Sequence, residues 1–181
     1  DIGCLSFNGN KTITTGGGGM ILTNKKKLND FIRHVSTTAK VKHPWVLSHD
    51  MVGYNYRMPN LNASLGLAQL EKLKKILRIK KKIHKIYQSK FNDNKFFELF
   101  SETKNSKSNH WLNTLLIKKS NIKIRDKIFS SLIKEKINCR PTWKLLHKLP
   151  MYKNCPRDDL KVSKELEKRI ITLPSSPNLT F

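Results

Sequence analysis

Gly3 to Asn24 reads GCLSFNGNKTITTGGGGMILTN, and its run of residue types sets the expected fold. Ile2 to Phe7 alternates apolar and small residues over the length of a strand, which predicts a buried strand ending in the polar turn Asn8-Gly9-Asn10-Lys11. Gly16 to Gly19 follow a threonine-rich run. Four glycines in a row admit backbone conformations barred to other residues and let the chain pass close to a ligand. Met20 to Thr23 then predicts a second strand, and Asn24 is placed to cap a helix through about Val35 with Leu28, Phe31, Ile32 and Val35 on one face. Lys11 is singled out by this setting. In a partly desolvated pocket a lysine amine is a Schiff-base nucleophile, whereas in an exposed loop it is an inert surface charge. The glycine run alone lacks the spacing of a nucleotide-binding loop.

Outward from this segment, residues 38–59 show no sustained period but carry several histidine and aromatic residues. A loop that long is expected to form a site. Asn60 is placed to cap a long helix with Leu61, Leu65, Ala68, Leu73, Ile76 and Leu77 on one stripe. Lysines crowd positions 74–85, but Ile79, Ile83, Ile86 and Tyr87 recur at helical spacing, so a core-facing helix with a wet lysine face is expected over a nucleic-acid-binding one. Polar residues 101–109 resemble a linker, with a subdomain boundary near position 93. Strand, helix, short strand, helix and strand are then expected at Trp111–Ile117, Arg125–Lys136, Ile137–Arg140, Asp158–Arg169 and Ile170–Leu173, a small α/β layer. The division is thus residues 1–92 and 93–181. His34, His84 and His110 have no pattern around them and read as surface or packing residues.

The 181 residues suit about one ordinary domain. No apolar stretch approaches the ~20 residues of a spanning helix, and no signal-peptide pattern opens the chain, so a cytoplasmic protein off the membrane is expected. Three cysteines without CxxC spacing build neither a disulfide framework nor a zinc site. The chain carries 36 Lys and Arg against 13 Asp and Glu, a net charge of +23. That excess supports a rival reading as a basic nucleic-acid-binding module. Only seven of the cations are arginine, the residue suited to phosphate and base-edge recognition, so the charge is read as a solvated surface with no nucleic-acid partner.

Three ordered stretches carry a family resemblance. The opening segment resembles the cofactor-lysine signature of the DegT/DnrJ/EryC1/StrS family of pyridoxal-phosphate (PLP) sugar aminotransferases. Met51 to Glu71, MVGYNYRMPNLNASLGLAQLE, is similar to its most recognisable loop and helix. Ile137 to Tyr152, INCRPTWKLLHKLPMY, and Ile171 to Leu179, ITLPSSPNL, are similar to its C-terminal part. Within the family, NGNK, HDMVGYNYRMPNLNA and RPTWKLLH most resemble the LegC-type group.

The resemblance implies that Lys11 bonds the cofactor covalently and relays protons during amino transfer, since a dehydratase branch has histidine there. It implies that Ser6 hydrogen-bonds the cofactor phosphate. Asn55 would reach the phosphate of a neighbouring subunit's cofactor, so a homodimer with shared sites is implied. Arg57, Arg140, Trp143 and His147 sit in matching loops where they would touch the nucleotide diphosphate or sugar; Arg140 would otherwise pair with a carboxylate. The implied substrates are glutamate and a UDP-linked 4-keto-6-deoxy-N-acetylhexosamine, in bacterial surface glycan synthesis such as that of lipopolysaccharide. A dTDP- or GDP-linked keto sugar is the alternative. No metal is implied.

The implied fold is α/β: part of the large-domain sheet of a fold-type I PLP-dependent aminotransferase, followed by its small C-terminal α/β domain. The family's pyridine-nitrogen aspartate and ring-stacking side chain lie upstream of the lysine, and Asp1 is too close to Lys11 to be that aspartate. The chain is therefore expected to be truncated at both ends and inactive alone, with its first part poorly folded.

Overall fold

A computed structural model describes residues 1–119 and 122–179. The chain divides into two compact units, Asp1–Lys74 and Lys75–Phe181. This division falls near the start of the helix Leu73–Phe91, whereas the boundary read from composition falls just past its end.

The first unit opens with β1 (Gly3–Ser6) and β2 (Gly19–Leu22), an antiparallel pair in the register Gly3↔Leu22 to Ser6↔Gly19. Strand, loop, glycines and strand therefore follow the expected plan. The expectation of a buried strand does not hold: all four residues of β1 are exposed, Leu5 at 44%. Among the described residues the sheet has two strands. Helix α1 (Lys26–Val35) begins after Lys25, not Asn24, and no side chain caps it; Thr23 Oγ1 accepts from Lys25 N at 3.1 Å in a local turn just before the helix. Leu28, Ile32 and Val35 are half-buried as expected, while Phe31 points outward.

The long helical stretch after Pro59 is two helices, α2 (Asn60–Glu71) and α3 (Leu73–Phe91), separated at Lys72. Pro59, not Asn60, occupies the N-cap position. Leu61, Leu65, Leu67 and Leu70 are exposed, so the expected core stripe does not form on α2. Among the described residues of this unit, Thr15 and Ala39 are buried.

The second unit holds the hydrophobic core. Strands β3 (Phe97–Leu99), β4 (Asn113–Ile117), β5 (Arg140–Pro141) and β6 (Ile170–Leu173) form one antiparallel sheet in the order β3-β4-β6-β5. Leu99 pairs with Leu115, and Leu115 pairs with Ile171. With Ile117 and Leu173 they line one face, because side chains two apart share a face. Phe129 of α4 (Ile122–Lys134) and Cys139 complete the cluster, with Tyr87, Phe91, Ile128 and Leu132 packed around it. Each fully buried aliphatic or aromatic side chain contributes roughly 1.5–3 kcal/mol. A short helix α5 (Lys161–Glu167) leads into β6.

Ile170–Leu173 is the strand expected, and β4, α4 and α5 differ from expectation by a few residues at their ends; the short strand expected at Ile137–Arg140 is instead Arg140–Pro141, which shares only Arg140 with it, and β3 carried no recognisable signal. Lys80 reverses the expectation of a wet lysine face. It is 3% exposed, and its Nζ donates to the carbonyls of His110, Trp111 and Ser175 at 3.3, 3.2 and 2.7 Å.

Candidate active site

Ser6 is the last residue of β1 and lies opposite Gly19. A β-carbon on Gly19 would stand 2.6 Å from the Leu5 carbonyl oxygen, so only glycine allows the strands to close here. Beyond the ladder, Phe7 N donates to Gly18 O at 3.0 Å, and Phe7 O accepts from Thr15 N at 3.1 Å and Thr14 Oγ1 at 2.9 Å. Gly16 and Gly18 take left-handed φ of 80° and 102°, which turns the chain back onto Phe7.

Residues 8–13 are thereby a loop with both ends held at Phe7. Lys11 sits at its tip, half-buried, with its N–H on Asn8 O at 3.0 Å. Asn8 Nδ2 donates to Asn10 Oδ1 at 3.5 Å. Thr12 Oγ1 is buried and has no hydrogen-bond partner among the described residues. A buried hydroxyl left unpaired costs about 1–3 kcal/mol, and a polar group bound beside Lys11 would remove that cost. The loop carries an amine at Lys11 and the unpaired hydroxyl of Thr12, with the Ser6 hydroxyl at the end of β1 and the glycine run on its far side. It fits a phosphorylated aldehyde and offers no metal cluster among the described residues.

A second segment lies on the same unit. Tyr54 N donates to Val35 O at 2.7 Å, Thr38 N to Tyr54 O at 2.9 Å and Tyr56 N to Ser36 O at 2.9 Å. Asn55 bridges to Thr37. This clamp needs Gly53, where a β-carbon would be 2.4 Å from Thr38 C and 2.5 Å from Ala39 N. Asn55 is held by its backbone with its side chain exposed, and Tyr54 stacks on Tyr56 at 5.2 Å. The segment reaches the glycine run, since a β-carbon at Gly18 would lie 3.4 Å from Met58 Cε.

Arg57 opens into a cleft of about 550 Å³ lined also by Thr37, Lys40, Val41, Lys42, His43 and Pro44. Lys40 and Lys42 had not been singled out, and His43 only as part of a long loop. Their clustering as Lys-Val-Lys-His was the available signal. Two lysines, an arginine and a histidine around one cleft favour an anion. His34 Nε2 meets Asp50 Oδ1 at 2.6 Å, and that hydrogen bond holds the Asp50 carboxyl below its ordinary range.

In the second unit, Arg140 lies on β5 opposite Thr172 and makes no ion pair among the described residues, which leaves its guanidinium available. Trp143 is 71% exposed. His147 sits in a single tight turn, Leu146–Lys148. Loss of water pushes its imidazole below the ordinary histidine value, and Arg157, Lys164 and Lys148 add to that. Glu167 fixes this turn by accepting from Lys148 Nζ and from Leu145 N. Ser6, Lys11, Asn55 and Arg57 thus belong to the first unit, and Arg140, Trp143 and His147 to the second.

Residues 1–181 match the sequence pattern of the DegT/DnrJ/EryC1/StrS aminotransferase family. GDP-perosamine synthase of Escherichia coli O157:H7 is 37% identical over 182 residues, covering 99% of this chain and 48% of that protein. A UDP-4-amino-4,6-dideoxy-N-acetyl-beta-L-altrosamine transaminase of Campylobacter jejuni is 29% identical, covering 84% of this chain and 41% of that protein. The Helicobacter pylori aminotransferase PseC, involved in the biosynthesis of pseudoaminic acid, superposes with a TM-score of 0.92 at 24% identity, covering 99% of this chain and 49% of that one. The chain spans about half the length of the curated relatives it matches.

Proposed function

Because the chain belongs to the DegT/DnrJ/EryC1/StrS aminotransferase family, we propose that it carries the cofactor lysine and small domain of an enzyme that transfers an amino group to a nucleotide-linked keto sugar. The observation that carries this reading is Lys11, half-buried on a glycine-braced loop beside the unpartnered hydroxyl of Thr12. PLP is the cofactor in this reading; when bound it supplies an electron sink for the carbon that loses its proton. Lys11 Nζ holds the cofactor and moves the proton at that carbon, a task for an amine whose position is fixed by the loop. Ser6 Oγ donates to the phosphate. Asn55, exposed and held by its backbone, reaches the corresponding phosphate of a second subunit. The many exposed apolar side chains of the first unit give such a partner a surface to bury.

Arg57 and its basic cleft bind the diphosphate of the substrate, and Arg140, Trp143 and His147 contribute nucleotide and sugar contacts. Glutamate is the amino donor. On the nucleotide, the weight of the relatives moves the reading from UDP toward GDP: three GDP-perosamine synthases are 37%, 35% and 30% identical to this chain over 99% of its length. A UDP-linked sugar remains the second reading, supported by the altrosamine transaminases at 29% and 25% identity.

Incubating the holoenzyme with glutamate and either a GDP- or a UDP-linked 4-keto-6-deoxy sugar tests both levels. Release of 2-oxoglutarate with the GDP sugar, and much less with the UDP sugar, is the expected result. Amino transfer with neither would overturn the proposed substrate class.

A further inference from the structure

The Lys11 loop is tied to α2 by one side chain. Asn62, in the first turn of that helix, donates from Nδ2 to the Thr15 carbonyl oxygen at 2.6 Å. One turn later Gly66 lies against the same residue, where a β-carbon would be 2.7 Å from Thr15 Cγ2. Thr15 is 3% exposed, and its N–H closes the loop onto Phe7. Its hydroxyl donates to the Gly17 carbonyl and so sets the first turn of the glycine run. Thr15 is thus the fixed end of the loop whose tip is Lys11, and Asn62 is the side chain that grips it. At this same N-terminal end, α2 follows directly on Arg57, Met58 and Pro59, and Met58 touches the glycine run.

We propose that Asn62 is a positioning residue for the Lys11 amine, acting through the Thr15 carbonyl; this rests on the reading of Lys11 as the cofactor lysine. The side-chain amide suits the task because it donates where a carbonyl must be met. An aspartate at 62 would set acceptor against acceptor, and an alanine would leave the buried carbonyl unpaired. Either change lets the base of the loop shift, and small displacements of a reacting group cost rate more than affinity. A glutamine keeps the donor on a longer stem. The tie also makes α2 the rigid element to which both the lysine loop and the Asn55–Arg57 segment are attached.

The test uses the holoenzyme with Asn62→Ala, Asn62→Asp and Asn62→Gln, reading the pH midpoint of the cofactor's visible absorption change together with kcat and KM for the amino donor. Wild-type protein is also reduced with borohydride and its labelled lysine mapped. The expected result is a displaced midpoint and a kcat lowered at least about fivefold in the alanine and aspartate variants, the equivalent of one ordinary hydrogen bond. KM should stay within about twofold, and Asn62→Gln should recover part of the loss. An unchanged midpoint and kcat with only a lower melting temperature would reduce Asn62 to a stabilising contact and overturn the proposal alone. A borohydride label on a lysine other than Lys11 would overturn the cofactor reading, and the proposal with it.

Discussion

His110 lies on His84 with ring centroids 4.2 Å apart and planes inclined by 22°. His84 Nδ1 meets Asn113 Oδ1 at 2.9 Å, and the amine of Lys80 reaches the His110 carbonyl one helical turn away. Burial pushes the His110 imidazole below its ordinary value; His84, Lys81 and Lys80 push the same way, and Glu102 opposes them. The folded state therefore prefers neutral His110. As pH falls through the ordinary histidine value of about 6.5, the unfolded chain takes up a proton that the folded chain resists. Stability of the second unit should fall between about pH 7 and pH 5, by up to about 1.4 kcal/mol per pH unit for one such group. His110→Phe should flatten part of that slope, read from denaturant midpoints across the range. An equally steep slope in the variant would remove the histidine pair as its cause.

Lys80 supplies a second expectation. Its amine is lowered by burial, yet it satisfies three carbonyls from two segments. Lys80→Met leaves those carbonyls without their donor and should destabilise the second unit by about 2–4 kcal/mol. Lys81→Met, one residue on and exposed, should change stability by less than about 0.5 kcal/mol. Thermal or denaturant unfolding of the pair decides the matter; similar values for the two would contradict the account of Lys80.

Gly19 and Gly9 form a matched pair for the loop. A methyl at Gly19 meets the Leu5 carbonyl, a backbone atom, while one at Gly9 meets nothing within 4 Å. Gly19→Ala should part the β1-β2 ladder at Ser6, cost on the order of 1–3 kcal/mol and loosen the cofactor. Gly9→Ala should retain cofactor like the wild type. Dialysis followed by absorbance measures retention, and equal retention in both variants would contradict the close approach.

Particular residues show what the sequence made legible. The glycine run between two apolar stretches marks the hairpin because few other backbones can make that turn, and Ile170–Leu173 is a strand by apolar content alone. The break at Lys72 has no glycine or proline to announce it. Lys80 reads as one more solvated lysine, because its three acceptors come from positions 30, 31 and 95 residues away. Exposure of β1 was misjudged since burial depends on neighbours, which a strand's own residues do not encode. The basic cleft at Arg57 forms where Thr38 and Ala39 take left-handed φ of 70° and 52°. Those two residue types seldom announce such a turn.

Asn55 is expected to serve the partner's site. In a mixed dimer of one Lys11→Ala subunit and one Asn55→Ala subunit, both lesions then fall on one site and the other is intact, so about half the activity should survive. Losing one or two hydrogen bonds to a charged phosphate costs on the order of 1.5–3 kcal/mol each, enough to weaken cofactor binding severely at a site that keeps Lys11 but lacks Asn55. Near-complete loss in the mixed dimer would place Asn55 in its own subunit's site.

Lys11 is the proposed cofactor-binding residue. Borohydride reduces a carbon–nitrogen double bond between an amine and an aldehyde and so fixes the cofactor where it is held. Reduction of the holoenzyme, followed by proteolysis and mass mapping, should place the pyridoxyl group on the peptide containing Asn8 to Thr15, at Lys11, and Lys11→Ala should carry none. A label on any other of the 29 lysines, or a Lys11→Ala protein that is still labelled, would contradict the account.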